Sequence, residues 1–365
     1  MEKTKGLDAF RKQIETIATH GVLSMSIALG LKLKLFDALA KVASEEEPKS
    51  ARDVADAAGM KERYVQEWLN TMACASIIEM TESGDKYWIP KERINDLSSS
   101  NPHAMVAHQL FLPIFGRVFD QICQVFEKSG PLGMEYESYT DFYRVMDKVS
   151  HAKHQANLIG EFLPLTGLTD KLKSGATVLD VGCGSGFHIF HLAENFPNSN
   201  FTGVDVSLDA VISATQGLST EGKGLHNAAF IQKDARQLSE EWTEKFDWVS
   251  IFDACHDQQR PDLALKEIHR VLKPGGVFTM LEINGTSNPH TDQQEIGLLS
   301  AYLYGVSMFH CLPVGSNSKD ALCLGTMWGT KRAAEMLEAA GFTDIQVIPT
   351  PFFAINVLYL CKKAM

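Results

Sequence analysis

The sequence predicts an α/β protein in which a Rossmann-like parallel sheet follows a smaller, mostly helical N-terminal domain of winged-helix pattern. Three stretches carry that prediction. Ala176-Thr-Val-Leu-Asp-Val-Gly-Cys-Gly-Ser-Gly-Phe187 is an apolar β run that breaks into three glycines within five residues and then into a helical pattern ending at Pro197. Asn200 to Val206 is a second short β run, closing at Asp205. Ahead of both, residues 51–89 read as helix, turn, helix and hairpin.

Size and composition agree with two soluble domains. A chain of 365 residues exceeds the usual single domain, and we expect a division near residue 150, into 1–150 and 151–365. A net charge of −11 argues against a general affinity for nucleic acid or anionic membrane. No apolar run is expected to reach membrane-spanning length and no signal peptide is read at the start, so a cytosolic address is expected. Seven cysteines, without a C-x-x-C pair or a Cys/His metal spacing, read as reduced thiols, and no metal is expected.

In chain order, residues 8–40 hold two helical patterns. Phe10, Ile14 and Ile17 recur at helical spacing, and Val22 to Ala40 is too apolar for one helix face to account for it. Such a surface is expected to meet a second copy of the chain. Gly59 splits two further helices, Ala51 to Ala58 and Glu62 to Ile78, and Ile78 to Ile89 forms the hairpin around Ser83-Gly84-Asp85. This module is a poor reader of DNA: from Lys49 to Arg93 seven Lys/Arg face eight Asp/Glu. Residues 101–166 form a bridge, in which Tyr136, Tyr139, Phe142, Tyr143 and Met146 make an aromatic stripe suited either to core or to a lid over a ligand; Tyr139 and Tyr143 are the lid candidates.

The glycine loop discriminates between ligands. A dinucleotide site takes G-x-G-x-x-G, whereas here Asp180 stands just ahead of G-x-G-x-G. A carboxylate there repels a phosphate and suits an ammonium or sulfonium. Asp205, about twenty residues past the glycines, can accept hydrogen bonds from both hydroxyls of a ribose. An adenosyl group without phosphates fits both features. With Val178-Leu-Asp-Val-Gly-Cys-Gly-Ser-Gly186, Asp205, Phe230-Ile-Gln-Lys-Asp-Ala235, Phe246 to Asp253 and Leu272-Lys-Pro-Gly-Gly276 in order, the sequence resembles the class I S-adenosylmethionine-dependent methyltransferases over about residues 150–365. The resemblance implies S-adenosylmethionine as cofactor and a seven-stranded sheet whose last strand is antiparallel. It also implies cofactor contacts at Asp180, Gly182, Gly184, Asp205, Val206, Asp234, Ala235 and Phe252, with Tyr143 as lid. The winged-helix layout resembles the plant-type small-molecule O-methyltransferases, which implies a homodimer through the N-terminal helices.

Acid–base chemistry is expected at the C-terminal ends of the fourth and fifth strands. Phe252-Asp-Ala-Cys-His-Asp257 resembles the plant-type segment whose histidine is the general base, which implies that role for His256 and an orienting role for Glu282. Two departures stand out: Gln258 replaces that family's tryptophan, and no second bracketing glutamate is found near Met327-Trp-Gly329. A thiol or amine acceptor needs a weaker base or none, so sulfur and nitrogen acceptors stay open. Residues 285–330 read as an insertion, helical from Gln293 to Phe309, with His310, Cys311, Met327 and Trp328 as pocket or core candidates. A helix to Ala340 and two strands, Thr343 to Ile348 and Phe353 to Leu360, close the chain as an antiparallel hairpin. The reading is methyl transfer to a small-molecule hydroxyl or thiol. Its alternatives are a methyltransferase acting on protein or nucleic acid, and a winged-helix DNA-binding regulator that senses the cofactor.

Overall fold

The computed structural model describes residues 2–100, 102–220 and 224–365. The chain forms two compact units, residues 1–117 with 144–152, and residues 118–143 with 153–365. The division is therefore not one cut near residue 150. Much of the aromatic stripe, Tyr136 to Tyr143, belongs to the larger unit, and the helix Phe142–His154 passes through the smaller one.

In the smaller unit the two helical patterns expected over residues 8–40 are one helix, Glu2–Lys32, followed by a short one, Leu35–Val42. Thr16 and Thr19 hydroxyls donate to the carbonyls of Lys12 and Glu15, one turn back, and do not interrupt the helix. The break comes at Lys34, whose left-handed φ of 58° no helix accommodates. The helices Ala51–Ala58 and Glu62–Cys74 turn about Gly59 as expected. Ser50 starts the first of them with a reciprocal capping box to Asp53. Strands β1 (Lys49–Ser50), β2 (Glu79–Met80) and β3 (Lys86–Trp88) form a small sheet in the order β1-β3-β2, which is the wing. Phe36, Leu39, Val54, Trp68, Leu69, Met72 and Tyr87 fill the core.

Two helical stretches, Gly6–Lys32 and Leu298–Gly315, are long and apolar enough by length and composition to cross a membrane. This corrects the expectation that no run reaches that length. Glycine, serine and threonine lie between the aliphatic residues, so mean hydropathy stays high over a full turn count without an unbroken apolar run.

The larger unit is built on a seven-stranded sheet. Its strands are β4 (Thr177–Val181), β5 (Asn200–Asp205), β6 (Ala228–Gln232), β7 (Phe246–Phe252), β8 (Leu272–Ile283), β9 (Thr343–Pro349) and β10 (Asn356–Lys362). They pair in the order β6-β5-β4-β7-β8-β10-β9. All neighbours are parallel except β10, which runs antiparallel to both β8 and β9. Side chains alternate across it: Val178, Trp248 and Leu358 enter one core with helix Phe187–Asn195, while Leu179, Val249 and Tyr359 enter the other with helices Pro261–Val271 and Thr330–Ala339. Burial on both faces explains why β4 and β7 are mostly apolar on either side, Asp180, Asp247 and Ser250 being their buried polar residues.

The insertion differs in detail from its expected form. Gly297, at φ 57° and ψ −134°, splits it into Pro289–Ile296 and Leu298–Val306. The second helix runs into a π-helical turn, Ser307–Cys311, which carries His310 and Cys311 inward.

Candidate functional site

The strand order reverses between β4 and β7, and ligands of open α/β sheets bind at the C-terminal ends of strands flanking such a switch. The expected site residues at the ends of β4, β5, β7 and β8 are thereby brought together. After β4 the loop takes left-handed conformations at Gly182, Gly184 and Gly186. A Cβ on Gly186 would lie 2.5 Å from the Phe230 ring, whereas one on Gly184 would meet nothing within 4 Å. Gly184 thus opens onto space where a ligand can lie against the backbone.

Three buried acids line this end of the sheet. Asp205 closes β5, and its carboxylate accepts from the backbone N–H of Gly184 and of Ser207, each at 2.9 Å, and from the Tyr143 hydroxyl. Burial pushes its pKa up while those donors oppose the rise. With about four lone-pair positions on a carboxylate, ribose hydroxyls are accommodated if Tyr143 gives way. Tyr143 stacks on Tyr136 with ring centroids 4.9 Å apart. Tyr139, the other lid candidate, is spent elsewhere, its hydroxyl donating to the Phe309 carbonyl at 2.7 Å.

Asp180 is 2% exposed. Its Oδ1 accepts from Ser250 Oγ at 2.8 Å, while Oδ2 has no hydrogen-bond partner in the protein. Burial, and then the charge of Asp205, push the Asp180 carboxyl up to about 7. The nearest imidazole, His188, has Nδ1 3.9 Å from Oδ2, but burial drives it down to about 3, so it brings no positive charge. An orphaned buried carboxylate oxygen beside an open glycine loop fits a cationic ligand, as an ammonium or sulfonium is. His188 itself stacks on Phe252 at 4.0 Å and meets His154 Nδ1 through Nε2 at 3.0 Å. Nothing in the sequence pointed to this histidine pair, because its members lie on different helices.

The remaining expected contacts vary. Val206 is 62% exposed just past the end of β5. Asp234 is gripped by Arg236, whose Nε and Nη2 donate to the carboxylate at 2.9 and 2.6 Å, so only partial capacity remains for an adenine. Ala235 packs against the core cluster under β7. Trp328 and Met327, read from sequence as pocket or core, are core.

The third acid, Glu282, is wholly buried on β8. Its Oε1 accepts from the backbone N–H of Cys255 at 2.9 Å and of His256 at 3.3 Å, and its Oε2 lies 2.5 Å from His256 Nδ1. This is the orienting contact expected for Glu282. Burial alone would drive the proton off His256, but Glu282 and Asp257 hold it, and the net effect raises its pKa well above the ordinary value.

Comparison with known proteins finds methyltransferases. Residues 172–341 fit a family model described as a methyltransferase domain, and residues 21–98 fit one described as an Rv2258c-like winged HTH domain. Over 189 residues the chain is 31% identical to a demethylmenaquinone methyltransferase of Geobacillus stearothermophilus, covering 50% of this chain and 76% of that protein. This chain belongs to the class I S-adenosylmethionine-dependent methyltransferases. A 36% identity to a fatty-acid O-methyltransferase of Mycolicibacterium smegmatis runs over 108 residues, 28% of this chain and 36% of that enzyme. The solved structure of human N-acetylserotonin methyltransferase in complex with SAM superposes with a TM-score of 0.69 at 17% identity, over 98% of each chain. The fold of the whole chain, winged helix included, is therefore shared with that enzyme, and the cofactor of this methyltransferase is S-adenosylmethionine.

The burial of Asp180 has a consequence for stability. A carboxyl that keeps its proton more tightly folded than unfolded stabilises the fold fully below about pH 4, and that contribution, on the order of 4 kcal/mol, is lost as pH rises through its folded value of about 7. Asp180→Asn keeps the shape and the Ser250 bond. Denaturant unfolding of the ligand-free protein at pH 5 and pH 8 is expected to show the wild type losing stability relative to this variant; parallel profiles would clear Asp180 of the effect.

Proposed function

We propose that this methyltransferase acts on a small-molecule hydroxyl or thiol, with His256 as general base and Glu282 as the residue that positions it. The observation that carries the reading is the Glu282–His256 contact of 2.5 Å, at the C-terminal ends of β8 and β7, of which β7 pairs with β4 and so stands next to the glycine loop. Glu282 fixes the ring and its tautomer, leaving Nε2 to take a proton. The names of these relatives specify small acceptors: a demethylated menaquinone, a fatty acid and N-acetylserotonin.

Bound at this site, S-adenosylmethionine supplies an electrophilic methyl on a sulfonium. The chain's own residues bind, align and dehydrate. Asp205 and the backbone at Val206 hold the ribose. Gly182 and Gly184 let the backbone lie close, Asp180 Oδ2 faces the cationic end, and Asp234, Ala235 and Phe252 flank the adenine and its approach. Tyr143 covers Asp205 from the bridge segment. Transfer of a methyl needs little beyond alignment and exclusion of water, which a site this buried provides.

The base decides the acceptor. The carboxylates beside His256 raise its proton affinity, and a hydroxyl is served by molecules whose Nε2 is free of a proton. A thiol is already partly thiolate and intrinsically nucleophilic. His256→Ala is therefore expected to lower turnover by about a hundredfold or more on a hydroxyl acceptor and by less than about tenfold on a thiol, at saturating cofactor. Undiminished hydroxyl transfer by the variant would make His256 structural.

Asp205→Ala is expected to weaken S-adenosylmethionine binding by about 2–3 kcal/mol, because two polar contacts are left unmade in a buried site. Titration calorimetry reads this directly, and an unchanged affinity would remove the ribose assignment.

A homodimer belongs to the same reading. Phe10, Ile14, Ile17, Val22, Met25 and Leu29 are each at least 46% exposed and follow one another at spacings of three to five residues along helix Glu2–Lys32. We assign a second copy of the chain to this stripe. Light scattering is expected to give twice the chain mass, and deletion of residues 1–40 to give monomer or aggregate; a stable full-length monomer would refute the assignment.

A further inference from the structure

Methyl transfer gives no role to two side chains that cluster with His256, namely Asp257 and Cys311. A ring nitrogen of His256, a carboxylate oxygen of Asp257 and Cys311 Sγ lie within 4.8 Å of one another, in surroundings that bury the histidine and the cysteine, and Nε2 is the nitrogen that Glu282 leaves free. Imidazole, carboxylate and thiolate together are a zinc donor set. Zinc bonds of 2.0–2.3 Å place neighbouring donors of a tetrahedral site about 3.3–3.6 Å apart. His256 Nε2 and Asp257 Oδ1, at 3.3 Å, already have that spacing. The thiol closes the triangle with a shift on the order of 1 Å.

Two further observations point to a ligand at this place. Asp257 Oδ1 is walled off from solvent and has no hydrogen-bond partner in the protein, although His256 Nε2 stands 3.3 Å away. Both ring nitrogens of His310, which is 0% exposed, are equally unpartnered, and its Nδ1 stands 3.8 Å from the other Asp257 oxygen. Unpaired polar atoms at this depth are costly, and a cation bound among them relieves that cost. The other observation is Glu282. A metal-bound histidine nearly always gives its second nitrogen to a carboxylate, a backbone carbonyl or a water, and Glu282, itself pinned by two backbone N–H groups, holds His256 Nδ1 in that manner.

We propose that His256 Nε2, Asp257 Oδ1 and Cys311 Sγ form a binding site for zinc, with His310 at its edge. Cys311 is far from the other two in sequence, and the π-helical turn brings it to them. The ion takes the lone pair that His256 offers to an acceptor proton, so zinc and hydroxyl transfer exclude each other. That consequence rests on His256 being the base; the binding does not.

The test uses the full-length protein, stripped with a chelator and titrated with Zn2+ against a chromophoric competitor, and separately with Co2+. A single zinc ion per chain and a thiolate-to-cobalt charge-transfer band are expected. Cys311→Ser removes the band and, like Asp257→Asn, weakens zinc by about tenfold or more. Cys74→Ser, at an exposed thiol, changes neither. Circular dichroism of the metal-free variants separates a lost ligand from a lost fold, and Asp257→Asn preserves side-chain volume should Cys311→Ser not fold. Absence of competitive zinc binding by the wild type, or binding unaltered in both folded variants, overturns the site. Zinc bound as expected with hydroxyl transfer undiminished leaves the site standing and removes His256 as base.

Discussion

The parallel pairing of β4 with β5 on one side and β7 on the other determines where every polar group of the site stands. Because successive strands leave β4 in opposite directions across the sheet, the loops after β4 and β7 part and leave a crevice. Asp180, Asp205, His256 and Glu282 come from four strand ends, and only this pairing brings those ends to one edge. The antiparallel β10 completes the arrangement by covering β8 along seven residue pairs, which puts Glu282 in the interior.

Burying three carboxylates at one edge is costly, and the fold compensates each differently. Asp205 is met by backbone N–H groups of the loops it joins, so it fastens the glycine loop to β5 while remaining an acceptor. Glu282 is met by two backbone N–H groups and an imidazole. Asp180 is met only by a serine hydroxyl, and half of its carboxylate is unsatisfied. The least compensated of the three stands beside the glycines that give a ligand room. Charge that the protein does not neutralise is charge that a cationic cofactor can neutralise, and this couples binding to stability.

The second half of the site follows a different logic. His256 is held between two carboxylates, one hydrogen-bonded to it and one merely close. The two carboxylates favour a positive charge on this ring. The packing of His310 flat on Phe142, with centroids 3.6 Å apart, and edge-on to Tyr136 and Tyr139 holds the far side of the cluster rigid.

Much of this was legible in the chain itself. The glycine loop, the acids after β4 and β5, and the helix–turn–helix–hairpin each depend on local chemistry: φ freedom, strand periodicity, capping and turn residues. So the fold class, the cofactor and the positions of Asp180, Asp205, His256 and Glu282 were readable, the last two by resemblance. The sequence could not show that Thr16 and Thr19 leave the long N-terminal helix unbroken, because their back-bonding appears only once the helix exists. Nor could it show that Tyr139 is bonded away, that His154 and His188 share a hydrogen bond, or that Cys311 approaches His256 and Asp257. Those are contacts between elements far apart in the chain, and no periodicity records them. Local sequence determined which groups the site has; the order of strands and a π-helical turn decided which of them meet.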